Sequence, residues 1–156
     1  MQQTWFTATG IVFNAAHDIL LVHHKRLDRW LPPGGQIHPG ERADQAVLRE
    51  IFEETGVRAA LIPNKRSVPT GDTFVLELNL PFAVLAYDMQ GTGQHNCVDS
   101  IFLCRATDDA ATLVPQEAEV QAAGWFTFAQ LGQLNTFDNV IQTVAQALAH
   151  LGISHE

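Results

Sequence analysis

Residues 34 to 57 read GGQIHPGERADQAVLREIFEETGV, and this stretch is the best guide to the fold of the chain. Good helix formers run from Ala43 to Thr55 after a loop that contains Pro39 and Gly40. Gly56 follows them at a position where a left-handed C-terminal cap is favoured. We therefore predict a helix from Ala43 to Thr55 that a short loop precedes.

Helical periodicity gives this segment an acidic face beside an apolar one. At about 100° per residue, Glu50, Glu53 and Glu54 share one arc. The predicted apolar arc holds Ala43, Val47, Leu48, Ile51, Phe52 and Thr55. Glutamates at this spacing repel one another by roughly a few tenths of a kcal/mol per pair. We expect the three carboxylates to face solvent and to bind a divalent cation, with a solvated acidic face as the alternative.

The wider spacing follows a longer pattern. Its nine positions over 23 residues are Gly35, Glu41, Arg49, Glu50, Ile51, Glu53, Glu54, Gly56 and Val57. The stretch resembles the Nudix box of the MutT-like Nudix hydrolases, with every specified position filled. This agreement is far more specific than a lone glycine motif.

The resemblance implies a metal site on the predicted helix. Glu50, Glu53 and Glu54 match the family's metal-binding glutamates, and the backbone carbonyl of Gly34 or Gly35 is a further oxygen ligand. The implied cofactor is Mg²⁺, with Mn²⁺ as a second choice. Mg²⁺ prefers hard oxygen ligands and is commonly shared with substrate phosphates.

The resemblance also assigns two supporting residues. Arg49 matches the arginine that orients the glutamates by ion pairing, and Glu41 matches a supporting acidic position. The position of Arg49 agrees with this role, because it borders the acidic arc and can partly neutralise it.

Length and composition are those of an ordinary globular protein. With 156 residues we expect a single domain over residues 1–156. The formal net charge of −8 argues against a nucleic-acid surface, since such surfaces are basic. We find no charged leader with a long apolar core and no apolar run near the roughly 20 residues that span a bilayer. We expect a cytoplasmic protein without membrane contact.

The two cysteines, Cys97 and Cys104, lie seven positions apart in one predicted strand. Their side chains then point to opposite faces of the strand and cannot bridge each other. We expect reduced thiols rather than a disulfide, a metal site or a nucleophile.

A basic segment precedes the box. Thr4 to Phe13 and Ile19 to His24 are β-rich runs around a turn and predict a hairpin. The strongest basic concentration in the chain starts at the end of the second run and contains His23, His24, Lys25, Arg26 and Arg29. Substrate phosphates are the partners that we expect for one or two of them, with His24, Lys25 and Arg26 as candidates. A solvated loop is the alternative, and the residue is left open between these positions.

Strand-forming runs follow the box. We predict a short strand within Ala59 to Pro63, β structure in Thr73 to Leu80 and Phe82 to Tyr87, and a strand from Cys97 to Ala106. Pro81 must then lie at an edge, a bend or a bulge.

Acidic residues outside the box are candidates for the site. His95 and Asp99 flank the start of the Cys97 to Ala106 strand, and we expect a structural hydrogen-bonding role for them. In the family, an acidic residue upstream of a late tryptophan approaches the metal. Glu119 is our choice for it and Glu117 the reserve, while a solvated loop carboxylate is the alternative.

The C-terminal part of the chain predicts two helices. A short one runs over Phe128 to Leu134, and a longer one over Asp138 to Leu151 has an apolar face and Gly152 past its end. With the box helix on one face of the sheet and the last helix on the other, we expect an α/β protein. The resemblance likewise implies the Nudix-type α/β/α sandwich with a mixed β-sheet.

The implied activity is metal-dependent hydrolysis of a nucleoside diphosphate linked to another group. Glu50 or Glu54 is the expected general base, with Glu119 as an alternative. We favour a nucleoside triphosphate cleaved to the monophosphate and pyrophosphate over ADP-ribose, a nucleotide sugar or a dinucleotide. A nucleotide-sensing domain without turnover and an acidic Ca²⁺-binding protein are the competing functions. A homodimer is open.

Overall fold

A mixed sheet of eight strands separates two helical layers in the computed structural model, which describes residues 3–68, 71–108, 111–116 and 118–155. The strands are β1 (Trp5–Phe13), β2 (Ile19–His24), β3 (Arg29–Leu31), β4 (Gly34–Gln36), β5 (Ala59–Leu61), β6 (Ala83–Tyr87), β7 (Cys97–Ala106) and β8 (Val120–Phe126). The helices are α1 (Ala43–Thr55), α2 (Phe128–Leu131) and α3 (Asp138–His150).

The order of paired strands is β3-β2-β1-β7-β5, and β4, β6 and β8 pair with β1, β7 and β2 respectively. β1 and β7 run parallel along their whole length, whereas the other pairs are antiparallel. The sheet is therefore mixed, as predicted.

β1 and β2 form the predicted hairpin only at its turn, where Phe13 pairs with Ile19. Beyond that point the two strands diverge, and β4 enters beside β1 with Thr9 opposite Gly34. The Gly10 amide also donates to the Pro33 carbonyl, at 2.9 Å. This divergence brings the Gly-Gly segment into the sheet.

Each face of the sheet carries its own apolar cluster, because successive strand residues point to opposite faces. The cluster under α1 contains Ala8, Val12, Leu20, Ala46, Val47, Ile51, Val57, Phe102 and Cys104. The cluster under α2 and α3 contains Ile11, Phe13, Ile19, Leu21, Ile101, Leu103, Leu131, Val144, Ala147 and Leu148. The predicted α/β/α sandwich is confirmed.

Helix α1 has the predicted bounds but buries a different face. Gly56 adopts φ 76°, and its amide donates to the Phe52 carbonyl at 2.8 Å. The buried residues are Ala46, Val47, Glu50, Ile51, Glu54 and Thr55. Phe52 is 44% exposed and lies under the Arg58 guanidinium, 4.6 Å from the ring centroid. β4 contacts α1 on the flank that carries Glu50 and Glu54, so this flank is covered instead of the Phe52 side.

The prediction of β structure in Thr73 to Leu80 was wrong. The described part of this segment forms no strand, and Phe74 is 92% exposed. Asn64 and Asn79 hold the loop together. The backbone N–H of Asn64 donates to Asn79 Oδ1 at 2.8 Å, and the backbone N–H of Leu80 donates to the backbone carbonyl of Asn64 at 2.7 Å. Phe82, by contrast, packs against the core.

The remaining elements agree closely with expectation. β7 has the predicted bounds, while α2 and α3 end at Leu131 and His150, slightly earlier than predicted. Cys97 and Cys104 are buried free thiols on opposite faces of β7. Within the described ranges, no helix has the length and apolar character needed to cross a membrane.

Candidate active site

Arg49 uses all five of its N–H donors at the start of the site. Nε and Nη2 donate to the two carboxylate oxygens of Glu41, at 2.8 and 3.0 Å. Nη1 donates to Glu50 at 2.8 Å and to Glu53 at 3.0 Å, and Nη2 also donates to the Gln36 carbonyl at 3.1 Å. These bonds raise the pKa of Arg49, and the Arg49 hydrogen bonds lower that of Glu41 to about 2. The guanidinium thus joins the box loop to the acidic side of α1.

Two of the three helix glutamates are buried. Glu54 is 3% exposed and Glu50 is 8% exposed, whereas the Glu53 side chain is 45% exposed. The expectation of solvent-facing carboxylates is therefore wrong for Glu50 and Glu54 and right for Glu53. The cause is β4, which lies against this flank of α1 and which a helical periodicity argument cannot place.

Burial leaves negative charge poorly compensated at Glu54. Loss of solvation raises its pKa to about 8, and the charge of Glu50 raises it further, against a hydrogen bond from the Gly34 amide that lowers it. Burial also raises the pKa of Glu50, against the opposing effect of Arg49. A cation beside these carboxylates would remove most of this penalty.

Gly34 and Gly35 permit the close approach of these groups. A Cβ at Gly35 would lie 2.6 Å from the carboxyl carbon of Glu50. A Cβ at Gly34 would lie 2.6 Å from the Thr9 hydroxyl oxygen. Any side chain at either position would push the carboxylate or the strand away.

The residues present fit a divalent cation in their chemistry, although the side chains are not closed around one. Among the described residues, no group of three or more His, Cys, Asp or Glu side chains has the geometry of a metal site. Arg49 holds Glu50 and Glu53, and the Gly34 amide holds Glu54, which explains the separation. The donors are hard carboxylate oxygens, which Mg²⁺ prefers, and the two buried carboxylates, Glu50 and Glu54, repel each other without a cation.

A pocket of about 500 Å³ is lined by Glu54, but not by Glu50 or Glu53. It lies between the α3 side of the sheet and the start of α3. Its polar and charged lining includes Thr7, Thr9, His24, Arg26, Glu54, Tyr87, Asp88, Asp99, Asn139 and Thr143. The apolar lining includes Ile11, Val22, Leu31, Ile101, Phe137 and Val140.

Two of the three candidate phosphate-binding residues lie at this pocket. His24 and Arg26 line it and Lys25 does not, although the side chains of Arg26 and Lys25 are both exposed. Burial lowers the pKa of His24, the Arg26 charge lowers it further, and Glu119 opposes both. His23 and Arg29 have structural contacts instead: His23 lies 3.2 Å from Asp28 Oδ1, and the Arg29 guanidinium lies 4.5 Å from the Phe137 ring centroid.

Glu119 lies close to the other charged groups of the site. Its charge raises the pKa values of Glu50, Glu54 and His24. Its carbonyl accepts from the Lys25 amide at 3.0 Å, which ties its loop to the end of β2. The side chain is exposed. Glu117, the reserve candidate, lies outside the described residues.

The sequence analysis did not identify the polar floor of the pocket. Asp99 has the expected hydrogen-bonding role, since it accepts from the Thr7 and Thr9 hydroxyls at 2.9 and 3.0 Å, whereas His95 is exposed. A signal was present, because an aspartate within a mostly apolar strand is unusual unless it is paired or functional.

Comparison with known proteins gives a consistent result. A family model described as NUDIX domain matches residues 4–148. Over 51 residues the chain is 53% identical to a putative 8-oxo-dGTP diphosphatase of Bacillus subtilis, which covers 33% of this chain and 34% of that protein. It is 32% identical over 80 residues to an RNA pyrophosphohydrolase of Baumannia cicadellinicola, or 51% of this chain and 48% of that protein.

Solved structures have the same fold. A NUDIX family hydrolase from Clostridium perfringens superposes with a TM-score of 0.79, covering 96% of this chain and 99% of that one at 23% identity. A MutT NUDIX hydrolase from Burkholderia pseudomallei superposes with a TM-score of 0.66, covering 93% and 98% of the two chains, also at 23% identity. The curated relatives are matched over about a quarter to a half of their length, so the likeness covers a segment of each rather than a whole chain.

Proposed function

Because the chain belongs to the NUDIX domain family, we propose that it hydrolyses a phosphoanhydride bond in a nucleoside diphosphate linked to another group. The favoured substrate is a nucleoside triphosphate, cleaved to the monophosphate and pyrophosphate. One observation carries the proposal. The buried Glu54 carboxylate lines the pocket, and the charges of Glu50 and Glu119 lie close enough to raise its pKa.

The chemistry requires that negative charge on the phosphates be neutralised. A divalent cation bound by Glu50, Glu53, Glu54 and a Gly34 or Gly35 carbonyl would supply that charge and would activate water. We infer Mg²⁺, with Mn²⁺ as the second choice, because the donors are hard oxygens. Arg49 keeps Glu50 and Glu53 oriented through the bonds described above.

The proton of the attacking water passes to a carboxylate of the chain. Glu50 or Glu54 is the proposed base, and Glu119 is the alternative. The water oxygen forms a bond to phosphorus while the bond from phosphorus to the bridging oxygen breaks. Pyrophosphate then leaves with the electron pair of that bond.

His24 and Arg26 are the proposed phosphate contacts. Both line the pocket that contains Glu54, and Arg is suited to bidentate contact with phosphate oxygens. Lys25 precedes Arg26 at the same turn and is a more peripheral positive charge. The rest of the pocket has the size of a typical small-molecule site and would hold the nucleoside.

The names of the relatives support hydrolysis of phosphoanhydride bonds and do not single out one substrate. Matching segments occur in a putative 8-oxo-dGTP diphosphatase, an RNA pyrophosphohydrolase and a mouse diphosphoinositol polyphosphate phosphohydrolase, the last at 47% identity over 45 residues. Selectivity must come from the pocket.

A substrate screen with and without Mg²⁺ tests the proposal. We expect pyrophosphate from dGTP or another triphosphate, at a kcat/KM well above that for ADP-ribose. Faster release of AMP from ADP-ribose would replace the favoured substrate by the second candidate. Metal-dependent nucleotide binding without any product would favour a sensing domain.

We further infer one cytoplasmic domain over residues 1–156 that acts on a small nucleotide and not on nucleic acid. The acidic charge and the two buried free thiols are compatible with this location and partner. A homodimer is an open alternative that sedimentation would test.

A further inference from the structure

Asp99 is a buried carboxylate that lines the pocket and lies on a strand, not on the helix that carries the three glutamates. It is 5% exposed and lies on β7, where it lines the pocket together with Thr7 and Thr9 of β1. Burial raises its pKa, against the two threonine hydrogen bonds, which lower it. A carboxylate at such a position is costly to fold around, so its presence calls for a reason.

Holding the sheet together is not a sufficient reason. β1 and β7 are already joined by a parallel backbone ladder in which Thr7 lies opposite Asp99. Ile101 lies two residues further along β7 on the same face, where it pairs with Thr9. Its side chain packs in the apolar cluster under α2 and α3. An apolar or hydroxyl side chain at position 99 would suit the ladder equally well.

One oxygen of this carboxylate is available to a ligand. Both threonine hydroxyls donate to Oδ1, and Oδ2 makes no hydrogen bond to any residue within the described ranges. Among the side chains that the structure describes, Asn96 Oδ1 is the buried polar atom that lacks a hydrogen-bond partner. Asp99 Oδ2 is not such an atom, so it is not fully buried. Asp99 Oδ2 therefore retains open space, which is the pocket.

The surroundings of Oδ2 suit a planar, partly polar group. The Asp99 charge helps to raise the pKa of Tyr87 to about 12, after the larger effect of burial, so the phenol lies nearby. Asn139 Nδ2 lies 3.5 Å from the Tyr87 hydroxyl. Both residues line the pocket, together with the aromatic ring of Phe137.

A chain of contacts relates Asp99 to the proposed catalytic end. The Gly34 amide donates to Glu54, a Cβ at Gly34 would meet the Thr9 hydroxyl, and that hydroxyl donates to Asp99. A nucleotide with its phosphates near Glu54 would direct its base towards the pocket floor. This placement depends on the proposed function.

We propose that Asp99 selects the nucleobase by accepting hydrogen bonds from adjacent N–H donors, which makes a guanine-type base the preferred substrate. Guanine presents N1–H and an exocyclic N2 amino group side by side. Hypoxanthine lacks the amino group, and uracil and thymine place carbonyl oxygens on both sides of their single N–H. Those oxygens would face the Asp99 carboxylate.

Binding of monophosphates without metal tests Asp99 apart from turnover. Calorimetry with dGMP and dIMP on the wild-type protein should show about tenfold tighter binding of dGMP, because a hydrogen bond to a charged acceptor contributes on the order of 1.5 kcal/mol or more. Asp99→Asn places an amide donor where Oδ2 accepts. It should weaken dGMP binding about tenfold or more and abolish the preference over dIMP.

Asp72→Asn is the matched control, since it removes the same charge from an exposed loop. Equal wild-type affinities for dGMP and dIMP would overturn the proposal, as would wild-type selectivity in a folded Asp99→Asn protein. If that variant does not fold, the wild-type comparison of the two ligands still decides. Selective binding of dGMP without hydrolysis of any triphosphate would support Asp99 and contradict the proposed function.

Discussion

Arg49 and Glu41, which are eight residues apart in sequence, form a bidentate ion pair. Arg49 Nε donates to one carboxylate oxygen of Glu41 and Nη2 donates to the other. Glu41 also accepts from the His38 amide at 3.0 Å, so the same carboxylate closes the box loop. The pair therefore fixes the loop that carries Gly34 and Gly35 relative to α1. Its contribution to stability can be measured as a function of pH.

Glu41 gives a pH-dependent contribution to stability. Its folded pKa of about 2 lies below the ordinary 4.5, so the folded state disfavours its protonation. The stabilisation is complete above pH about 4.5 and is lost as the pH falls towards 2. We expect Glu41→Gln to lower the free energy of unfolding at pH 6, with a smaller difference at pH 2.5, as measured by urea denaturation. Asp72→Asn, a charge change at an exposed residue, is the control, and an unchanged difference at both pH values would contradict the assignment.

Glu53→Gln and Glu54→Gln should each remove most turnover and leave the fold intact. We expect kcat to fall about 100-fold or more, since a metal ion supplies several kcal/mol of charge stabilisation and tenfold corresponds to about 1.4 kcal/mol. The Tm of the Glu54→Gln protein in EDTA should not fall, because an amide at this buried position is uncharged, as the metal-free carboxyl group mostly is at neutral pH, and still accepts from Gly34. An undiminished rate at saturating metal would refute the site.

Gly35→Ala should weaken metal binding through Glu50. The added Cβ would lie 2.6 Å from the carboxyl group, which has to move. We expect about a tenfold or larger rise in the Mn²⁺ dissociation constant, measured by electron paramagnetic resonance, by analogy with other changes that misplace ligands. Gly132→Ala is the matched control, since no atom lies within 4 Å of its added Cβ and its φ is −65°. Equal metal affinity in both variants would show that Glu50 tolerates displacement.

Arg26 and Lys25 permit a direct test of the phosphate contact. Arg26→Ala should raise KM about tenfold with a smaller effect on kcat, the pattern of binding shared by ground and transition states. Lys25→Ala removes the same charge one residue away, and we expect a weaker effect because Lys25 does not line the pocket. Steady-state kinetics at two ionic strengths would separate a contact from general attraction. A larger loss with Lys25→Ala would transfer the contact to Lys25.

Local features of the sequence were sufficient for the elements that build the site. Helix formers between a Pro-Gly loop and Gly56 determined both ends of α1, and the long β-rich run starting at Cys97 determined β7. Capping and periodicity act over a few residues, so they can be read without the fold. The box pattern also identified the family, which the match over residues 4–148 confirmed.

Only the tertiary structure decided which of these groups are buried and which meet in the pocket. Glu50 and Glu54 are covered because β4 pairs with β1, and Asp99 meets Thr7 and Thr9 because β1 and β7 pair in parallel across about 90 residues. His24 and Arg26 line the pocket, whereas Lys25 between them does not. Such contacts depend on strand register between distant segments, and a one-residue change of register would reverse every side chain.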